Sequence, residues 1–251
     1  MFIYFGLRIR QLVAQRFLKP QQIFSNNRVS GFILSNMRED YSHKLETVTT
    51  KLVHMSELVG EAIVKATSAL LTDDLTLAEQ VISGDEAINN LNSEIEELCF
   101  RVAALEAPVA TDLRMVMGGI RMATSLERMG DLAAHIAKQV RLRYPSPSIP
   151  VDLQSTFQEM GDAASKIVAE AGRVIQSRDT TLADEMKHYD DTLDRLHRDL
   201  FTAVLSDSWT HGVEAAIDVT LLSRFYERFG DHAVSLARRV IYIVTGEPYA
   251  K

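Results

Sequence analysis

Two short stretches of the chain place paired carboxylates at a spacing suited to cation binding. The sequence reads LERMGD at 126–131 and YERFGD at 226–231, so Glu127 and Asp131 stand four positions apart, as do Glu227 and Asp231. Residues four apart share one face of an α-helix. Several carboxylates on one face supply the oxygen ligands that hard cations and iron-type metals prefer. The repeated motif therefore indicates two related candidate metal sites.

Oxygen-bearing side chains upstream of each motif extend both candidate sites. Asp85 and Asn89 are four positions apart, and so are Asp190 and Asp194. Adjacent antiparallel helices could set each of these pairs beside a Glu/Asp pair. The predicted metal ligands are Glu127, Asp131, Glu227, Asp231, Asp85, Asp190, Asn89 and Asp194, and the metal can be Fe, Zn, Mn or Mg. No catalytic or organic-cofactor residue is predicted.

The position of the motifs on their helices separates three interpretations. At 100° per residue, apolar stripes are formed by Leu126, Met129, Ala133, Ile136 and Val140, and by Leu222, Phe225, Phe229, Leu236 and Val240. The motif carboxylates point away from these stripes, onto the open surface of each half. This placement counts against a carboxylate-bridged enzyme, which needs ligands inside a bundle. A plain solvated helix face with local Arg pairs stays open as the alternative to metal binding.

Long proline-free segments carry these motifs. Proline occurs only at positions 20, 108, 145, 147, 150 and 248. Because proline in a helix interior costs about 3 kcal/mol, its absence over such lengths indicates long helices. Apolar residues recur at steps of three and four, and no useful stretch alternates as a strand does. The sequence predicts six helices at 41–72, 75–106, 111–141, 151–178, 181–207 and 211–245.

The two halves of the chain are copies of one another. The segment DLTLAEQVISGDEAINNL at 74–91 aligns with DTTLADEMKHYDDTLDRL at 179–196, and the carboxylate motif recurs 100 positions later. A duplicated three-helix unit is the simplest explanation. The predicted fold is all-α, with two tandem three-helix bundles at 37–143 and 151–247. The proline-rich stretch at 144–150 is the predicted linker.

The first 36 residues differ in character from the rest. They contain five basic residues and no acidic residue. A transit peptide or a surface-binding segment would fit this composition. The preferred interpretation is an extension from an upstream start codon, with Met37 as the natural start. We expect this 1–36 extension to be poorly ordered.

Composition narrows the classes of partner. The 251-residue chain carries a net charge of −7, which disfavours nucleic acid as a partner. No run approaches the roughly 20 apolar residues that span a bilayer. A single cysteine, Cys99, excludes an intrachain disulfide and fits a reducing cytoplasm.

The motifs and their order resemble the PhoU family of phosphate-uptake accessory proteins. The resemblance covers about 37–247 and rests on PVATDLRMVMGGIRMATSLERMGDLA, on YERFGDHAVSLA and on GDEAINNLNSEIEELCFRVAALEAP. It implies two similar three-helix bundles and multinuclear metal clusters on the carboxylate motifs of each repeat. It implies no catalytic step.

The same resemblance implies a regulatory role. PhoU-like proteins link the phosphate ABC transporter to a sensor histidine kinase and restrain phosphate uptake when phosphate is plentiful. The expected protein is therefore a cytoplasmic negative regulator and a homodimer, which meets the membrane only through partners. Asn89 is neutral where the second repeat has Asp194, so the first site is expected to be the weaker one. A metal-dependent enzyme and a metal-free helical adaptor remain the rival functions.

Overall fold

The computed structural model describes residues 27–247, with side chains from Arg38 onward except those at 184 and 185. The chain divides into two compact units, Met1–His43 and Lys44–Lys251, and every contact described below lies within the second. Most of the basic extension predicted at 1–36 therefore falls outside the described residues. Where the description begins, residues 27–36 belong to the first helix.

Six α-helices account for nearly all of the described residues. They are α1 (Asn27–Thr72), α2 (Leu75–Glu106), α3 (Ala110–Arg143), α4 (Gln154–Ser177), α5 (Thr180–Val204) and α6 (Gly212–Thr245). A single 3-10 turn, Val151–Leu153, precedes α4. No strand occurs within 27–247. The prediction of an all-α fold is confirmed, and apart from the start of α1 each predicted helix end lies within three residues of the observed one.

Equivalent aspartates begin the second helix of each repeat. Asp74 precedes α2 and accepts a hydrogen bond from the backbone N–H of Leu77, at 3.0 Å. Asp179 precedes α5 and accepts one from Thr181, at 2.8 Å. An N-cap carboxylate satisfies backbone donors that have no partner within the helix. The duplication therefore extends to the local chemistry that starts these helices.

The third helix of each repeat forms the centre of the packing. α3 packs against α2, α6 packs against α4 and α5, and α3 and α6 also pack against each other. The apolar stripe predicted on α3 is buried throughout. On α6, Phe225 is only partly buried, whereas the adjacent Tyr226 is fully enclosed. The core thus continues from one repeat into the other.

Small residues let the first helices of the two repeats approach closely. A Cβ on Gly161 of α4 would lie 2.7 Å from Oγ1 of Thr67 on α1, and one on Gly172 would lie 2.5 Å from Oγ of Ser56. The Thr67 hydroxyl also hydrogen-bonds the hydroxyl of Tyr226, at 2.7 Å. α1, α4 and α6 therefore meet at one buried contact that joins the repeats.

We expect Gly161→Ala to lower the free energy of unfolding by about 1–2 kcal/mol, because the new methyl overlaps Thr67. Rotation of Thr67 away from the methyl would break its buried bond to Tyr226. The matched control is Gly84→Ala in α2, where no atom lies within 4 Å. This control should stabilise the protein by about 0.5–1 kcal/mol. Urea denaturation measures both, and a neutral Gly161→Ala would contradict the close approach.

The central helices α3 and α6 run antiparallel and are joined by a polar network. Asp218 of α6 is only 5% exposed and accepts hydrogen bonds from Gln139 at 2.7 Å and from Arg143 at 2.9 Å. Arg143 also pairs with the exposed Glu214. Further along, the rings of His135 and Phe225 stack with centroids 5.4 Å apart. These contacts fix the register of the two repeats.

The predicted linker at 144–150 is an irregular segment that is partly packed into the protein. Ser148 and Ile149 are buried, and the backbone N–H of Ser148 donates to Asp73 at 3.2 Å. The linker is thus held against the turn between α1 and α2. Among the described residues, no helix has both the length and the apolar character needed to cross a membrane.

Candidate metal centres

Adjacent helices bring the predicted ligands of the first repeat together. Asp85 and Asn89 lie on α2, and Glu127 and Asp131 lie on α3; we call these four residues the first cluster. A Cβ on Gly130 would lie 3.2 Å from Oδ1 of Asp85. The glycine therefore allows the Asp85 carboxylate to rest against α3, between the two motif acids.

The second repeat reproduces this arrangement. Asp190 and Asp194 lie on α5, and Glu227 and Asp231 lie on α6; these four form the second cluster. A Cβ on Gly230 would lie 2.7 Å from Oδ1 of Asp190, too close for any real side chain. Glycine is thus required at this position if the helix-two aspartate is to reach the third helix.

The motif acids are more enclosed than the helical wheel predicts. The exposed side-chain fraction is 19% for Glu127, 28% for Asp131 and 13% for Glu227, and it reaches 50% only for Asp231. The wheel places them correctly outside the main apolar stripe. A helical wheel does not include the neighbouring helix, whose side chains cover the surface beside this stripe. The clusters lie at the edge between two helices and not in the interior of a bundle.

Burial and mutual repulsion act together on these carboxylates. Desolvation, followed by repulsion from Asp131, raises the pKa of both Asp85 and Glu127 above their usual values. The pKa of Glu227 is raised in the same way, by desolvation and then by Asp231. Negative charge is therefore crowded at both edges, and a bound cation would relieve the crowding.

Asp190 experiences the largest of these effects. Desolvation, then the neighbouring charges of Asp194 and Asp231, raises its pKa to about 6. At the equivalent place in the first cluster, Asn89 donates a hydrogen bond to Asp85 Oδ2, at 3.3 Å, instead of repelling it. The single exchange of Asn89 for Asp194 thus makes the second cluster the more strained of the two.

Three carboxylate oxygens in the clusters are enclosed and accept no hydrogen bond from any described residue: Asp85 Oδ1, Asp190 Oδ1 and Glu227 Oε2. Buried oxygens without donors are costly unless something else satisfies them. Two of the three are the oxygens that rest against Gly130 and Gly230. The oxygen ligands, the carboxylate oxygens without a hydrogen-bond donor and the space left by the two glycines together fit a hard cation bound at each edge.

The ligands do not form a ready-made cage. Among the described residues, no three His, Cys, Asp or Glu side chains converge closely enough to enclose one metal ion. Arginines pair with some of the acids: Arg128 Nη1 lies 2.9 Å from Asp131 Oδ2, and Arg224 pairs with Glu227. A cation would therefore bind with water ligands and with rotation of these side chains away from their arginines.

Sequence reasoning missed the basic residues that surround the clusters. Lys138 and His135 lie near Asp85, and Arg238 lies near Asp190, in each case close enough to lower the pKa of the aspartate. Lys138 and Arg238 are separated by the same 100 positions as the two motifs, so the duplication contained the signal. The contacts between α3 and α6 could not be predicted from the spacing of the repeats.

Comparison with known proteins places the whole duplicated region in one family. The family model described as the PhoU domain matches residues 52–140 and again 157–240. The phosphate-specific transport system accessory protein PhoU homolog 2 of Mycobacterium tuberculosis is 48% identical over 210 residues, which is 84% of this chain and 99% of that protein. The PhoU homolog 1 of Mycobacterium leprae is 46% identical, covering 84% of this chain and 95% of its own.

Solved structures agree with this assignment. The phosphate transport system regulatory protein PhoU of Streptococcus pneumoniae superimposes with a TM-score of 0.76 at 27% identity, covering 84% of this chain and all of its own. PhoU of Pseudomonas aeruginosa gives a TM-score of 0.71 at 30% identity, covering 82% of this chain and all of its own. The two matches to the PhoU domain, the carboxylate motifs, the shared fold and this level of identity show that the chain belongs to the PhoU family.

Proposed function

We propose that this protein is a negative regulator of phosphate uptake and of phosphate-starvation signalling. The observation that carries the proposal is the match of both repeats to the PhoU domain. Relatives that are 46% and 48% identical over 210 residues are named accessory proteins of the phosphate-specific transport system. The protein acts in the cytoplasm by binding, as a homodimer, the phosphate ABC transporter and its sensor histidine kinase. It performs no catalytic step of its own.

Long amphipathic helices give this role a physical basis. Exposed apolar side chains recur at equivalent places on the third helices, with Leu113 and Met117 on α3 and Val213 and Ile217 on α6. Apolar residues four positions apart on a helix are typical anchors for another helix or a groove. Partner domains would contact such faces, and the two repeats would offer related but unequal surfaces.

Deletion of the gene tests the regulatory role. We expect phosphate-responsive genes to stay switched on in rich phosphate when the protein is absent. A pull-down from cells grown in high and in low phosphate should recover transporter and kinase with the tagged protein. Normal repression in the deletion strain would contradict the proposal, whatever the metal content of the protein.

We further propose that the two clusters hold metal ions. A bound cation would neutralise the carboxylates and link α2 to α3, and α5 to α6, so that occupancy changes the shape of the surface offered to partners. Asp85, Glu127 and Asp131 would be the carboxylate ligands in the first cluster, with Asn89 contributing its amide oxygen after rotation. In the second cluster all four ligands would be carboxylates.

Metal analysis of purified protein tests this part separately. The variant in which Glu127, Asp131, Glu227 and Asp231 are all replaced by alanine should contain much less Fe, Zn, Mn or Mg than the parent protein. Unchanged metal content in the variant would contradict the proposed ligands, and a parent protein that contains no metal would favour the metal-free adaptor. A bound redox metal with turnover of a substrate would instead favour the rival enzyme.

Exchange of the one unmatched ligand should remove the difference in cation affinity between the two clusters. Asp194→Asn is expected to weaken cation binding at the second cluster by about tenfold, because affinity rises with the number of charged ligands. Asn89→Asp should strengthen the first cluster by a similar factor. Calorimetric titration of metal-stripped protein with Mn²⁺ measures both, and Asp199→Asn, on the exposed face of α5, is the control. Two sites with equal affinity in the parent protein would contradict this prediction.

A further inference from the structure

The antiparallel contact of α3 and α6 has two ends that the duplication relates to each other. At one end, Gln139 and Arg143 of α3 both donate to Asp218 of α6. We call this the neutral end, because the buried Asp218 carboxylate balances the charge of Arg143, whereas Glu214 is exposed. At the other end, Arg114 donates to the carbonyl oxygen of Ile243, at 3.2 Å. A Cβ on Gly118 would press against the side chain of the same Ile243.

The repeat offset of 100 positions shows which group the second end lacks. Arg239 occupies the place of Gln139, and Arg121 occupies the place of Leu221. The place of Asp218 is taken by Gly118, which has no side chain. Arg114 likewise stands at the place of Glu214, and Ile243 at the place of Arg143. The second end therefore has three arginines and no carboxylate at these places, and we call it the basic end. The register set by the contacts of Arg114 and Gly118 puts Arg121 opposite Arg239.

Neither arginine of the basic end has a counter-charge. Among the side chains that the structure describes, none forms an ion pair or hydrogen bond with the guanidinium group of Arg121 or Arg239, although acidic residues outnumber basic ones in the chain. The Nε–H of Arg239 is enclosed and lacks an acceptor. Burial and the charge of Arg121 both lower the pKa of Arg239, and no carboxylate opposes them. The exposed Arg121 and the partly buried Arg239 thus lie near one another on facing helices, with no described carboxylate paired to either.

We propose that Arg121 and Arg239 form a binding site for a phosphoryl oxyanion. The arginine fork donates parallel N–H bonds that match the oxygens of a phosphate group, and two forks from adjacent helices can hold one such group between them. The ligand supplies the negative charge that Asp218 supplies at the neutral end. Free inorganic phosphate and the phosphate of a larger ester share this chemistry.

This site is distinct from the metal clusters and does not depend on them. The clusters lie between α2 and α3 and between α5 and α6, whereas the arginines lie where α3 meets α6. An anion bound here would link the third helices of the two repeats. Phosphate binding would therefore act on the same two helices that carry the carboxylate motifs.

To test the site, each arginine is replaced by the residue that occupies the equivalent position in the other repeat. Arg239→Gln introduces the residue found at 139, and Arg121→Leu introduces the residue found at 221. Both changes use a side chain that this fold already accepts at the equivalent place. Arg101→Gln is the control, because Arg101 is exposed on α2 and pairs with Glu97, at 2.6 Å. All proteins are stripped of metal first, and circular dichroism checks that they are folded.

Phosphate binding to the stripped proteins is then measured by ³¹P NMR line broadening and by calorimetry. The parent protein and Arg101→Gln should bind inorganic phosphate at millimolar concentration, and each site variant should bind about tenfold more weakly. A parallel titration with phosphoserine separates the two sources, since tighter binding of the ester assigns the site to a larger ligand. Failure of the parent protein to bind either anion, or unchanged binding in both variants, overturns the proposal.

Discussion

Replacing Asp190 with asparagine is expected to make the metal-free protein more stable at pH 7, by about 1–2 kcal/mol. The substitution keeps the shape of the side chain and removes a charge that is desolvated and repelled by Asp194 and Asp231. Urea denaturation in the presence of a chelator measures the gain. Saturating Mn²⁺ should reverse the order, because a bound cation makes the carboxylate favourable.

The stability difference between Asp190→Asn and the parent protein depends on pH through the raised pKa of Asp190. Asp190 has a pKa of about 6 in the folded protein, against an ordinary value of 3.8. The folded protein therefore holds this proton more tightly than the unfolded chain. The bound proton therefore stabilises the folded protein fully at pH values below the pKa of Asp190 in the unfolded chain. This stabilisation is lost as pH rises through about 6. The advantage of Asp190→Asn should accordingly vanish as the pH is lowered toward 4.

The control is Asp199→Asn, the same change at an exposed position of α5 that pairs with Arg195, which should alter stability by less than about 0.5 kcal/mol. A metal-free Asp190→Asn protein that is less stable than its parent at pH 7 would show that the Asp190 charge is already satisfied. Such a result would remove the main electrostatic argument for a cation at the second cluster.

Replacing Asp218 with alanine is expected to lower the free energy of unfolding by about 2 kcal/mol. Asp218 is buried and accepts hydrogen bonds from Gln139 and Arg143 across the contact between the repeats. Its removal leaves the buried amide of Gln139 without its acceptor, and a buried donor without a partner is costly. Thermal or urea denaturation of the full chain measures the loss.

Glu214→Ala provides the matched control within the same network. Glu214 also pairs with Arg143, but its side chain is 76% exposed, so its loss should cost less than about 0.5 kcal/mol. Equal effects of the two substitutions would show that the network contributes through surface charge alone. A larger effect of Asp218→Ala assigns the stability to the buried hydrogen bonds.

The sequence was sufficient to predict the helices and the grouping of the ligands. Long proline-free segments with apolar steps of three and four specify helices directly. The duplication supplied a second check, because the paired acids recur at the same spacing in both halves. Glu127 and Asp85 come together for the reason the pattern suggests: the second and third helices of each repeat are neighbours.

The depth of the acids and the buried face of α6 could not be predicted in the same way. A helical wheel describes one helix, whereas α6 packs on helices of both repeats. Its buried arc is therefore wider than a single stripe, so Tyr226 is enclosed while Phe225 only stacks on His135. Likewise, periodicity cannot show that Gln139 will meet Asp218, since their contact depends on which helices pair across the repeats.

The buried contact of Thr67 with Tyr226, together with the antiparallel α3 and α6, makes the two repeats resemble a symmetric dimer whose subunits share one polypeptide. In a true homodimer, any mutation appears on both sides of the twofold axis at once. Covalent fusion removes that restriction, so each copy can change alone. Asn89 opposite Asp194, and Gln139 opposite Arg239, are differences of this kind. One chain can thereby carry two unequal carboxylate clusters on two similar repeats.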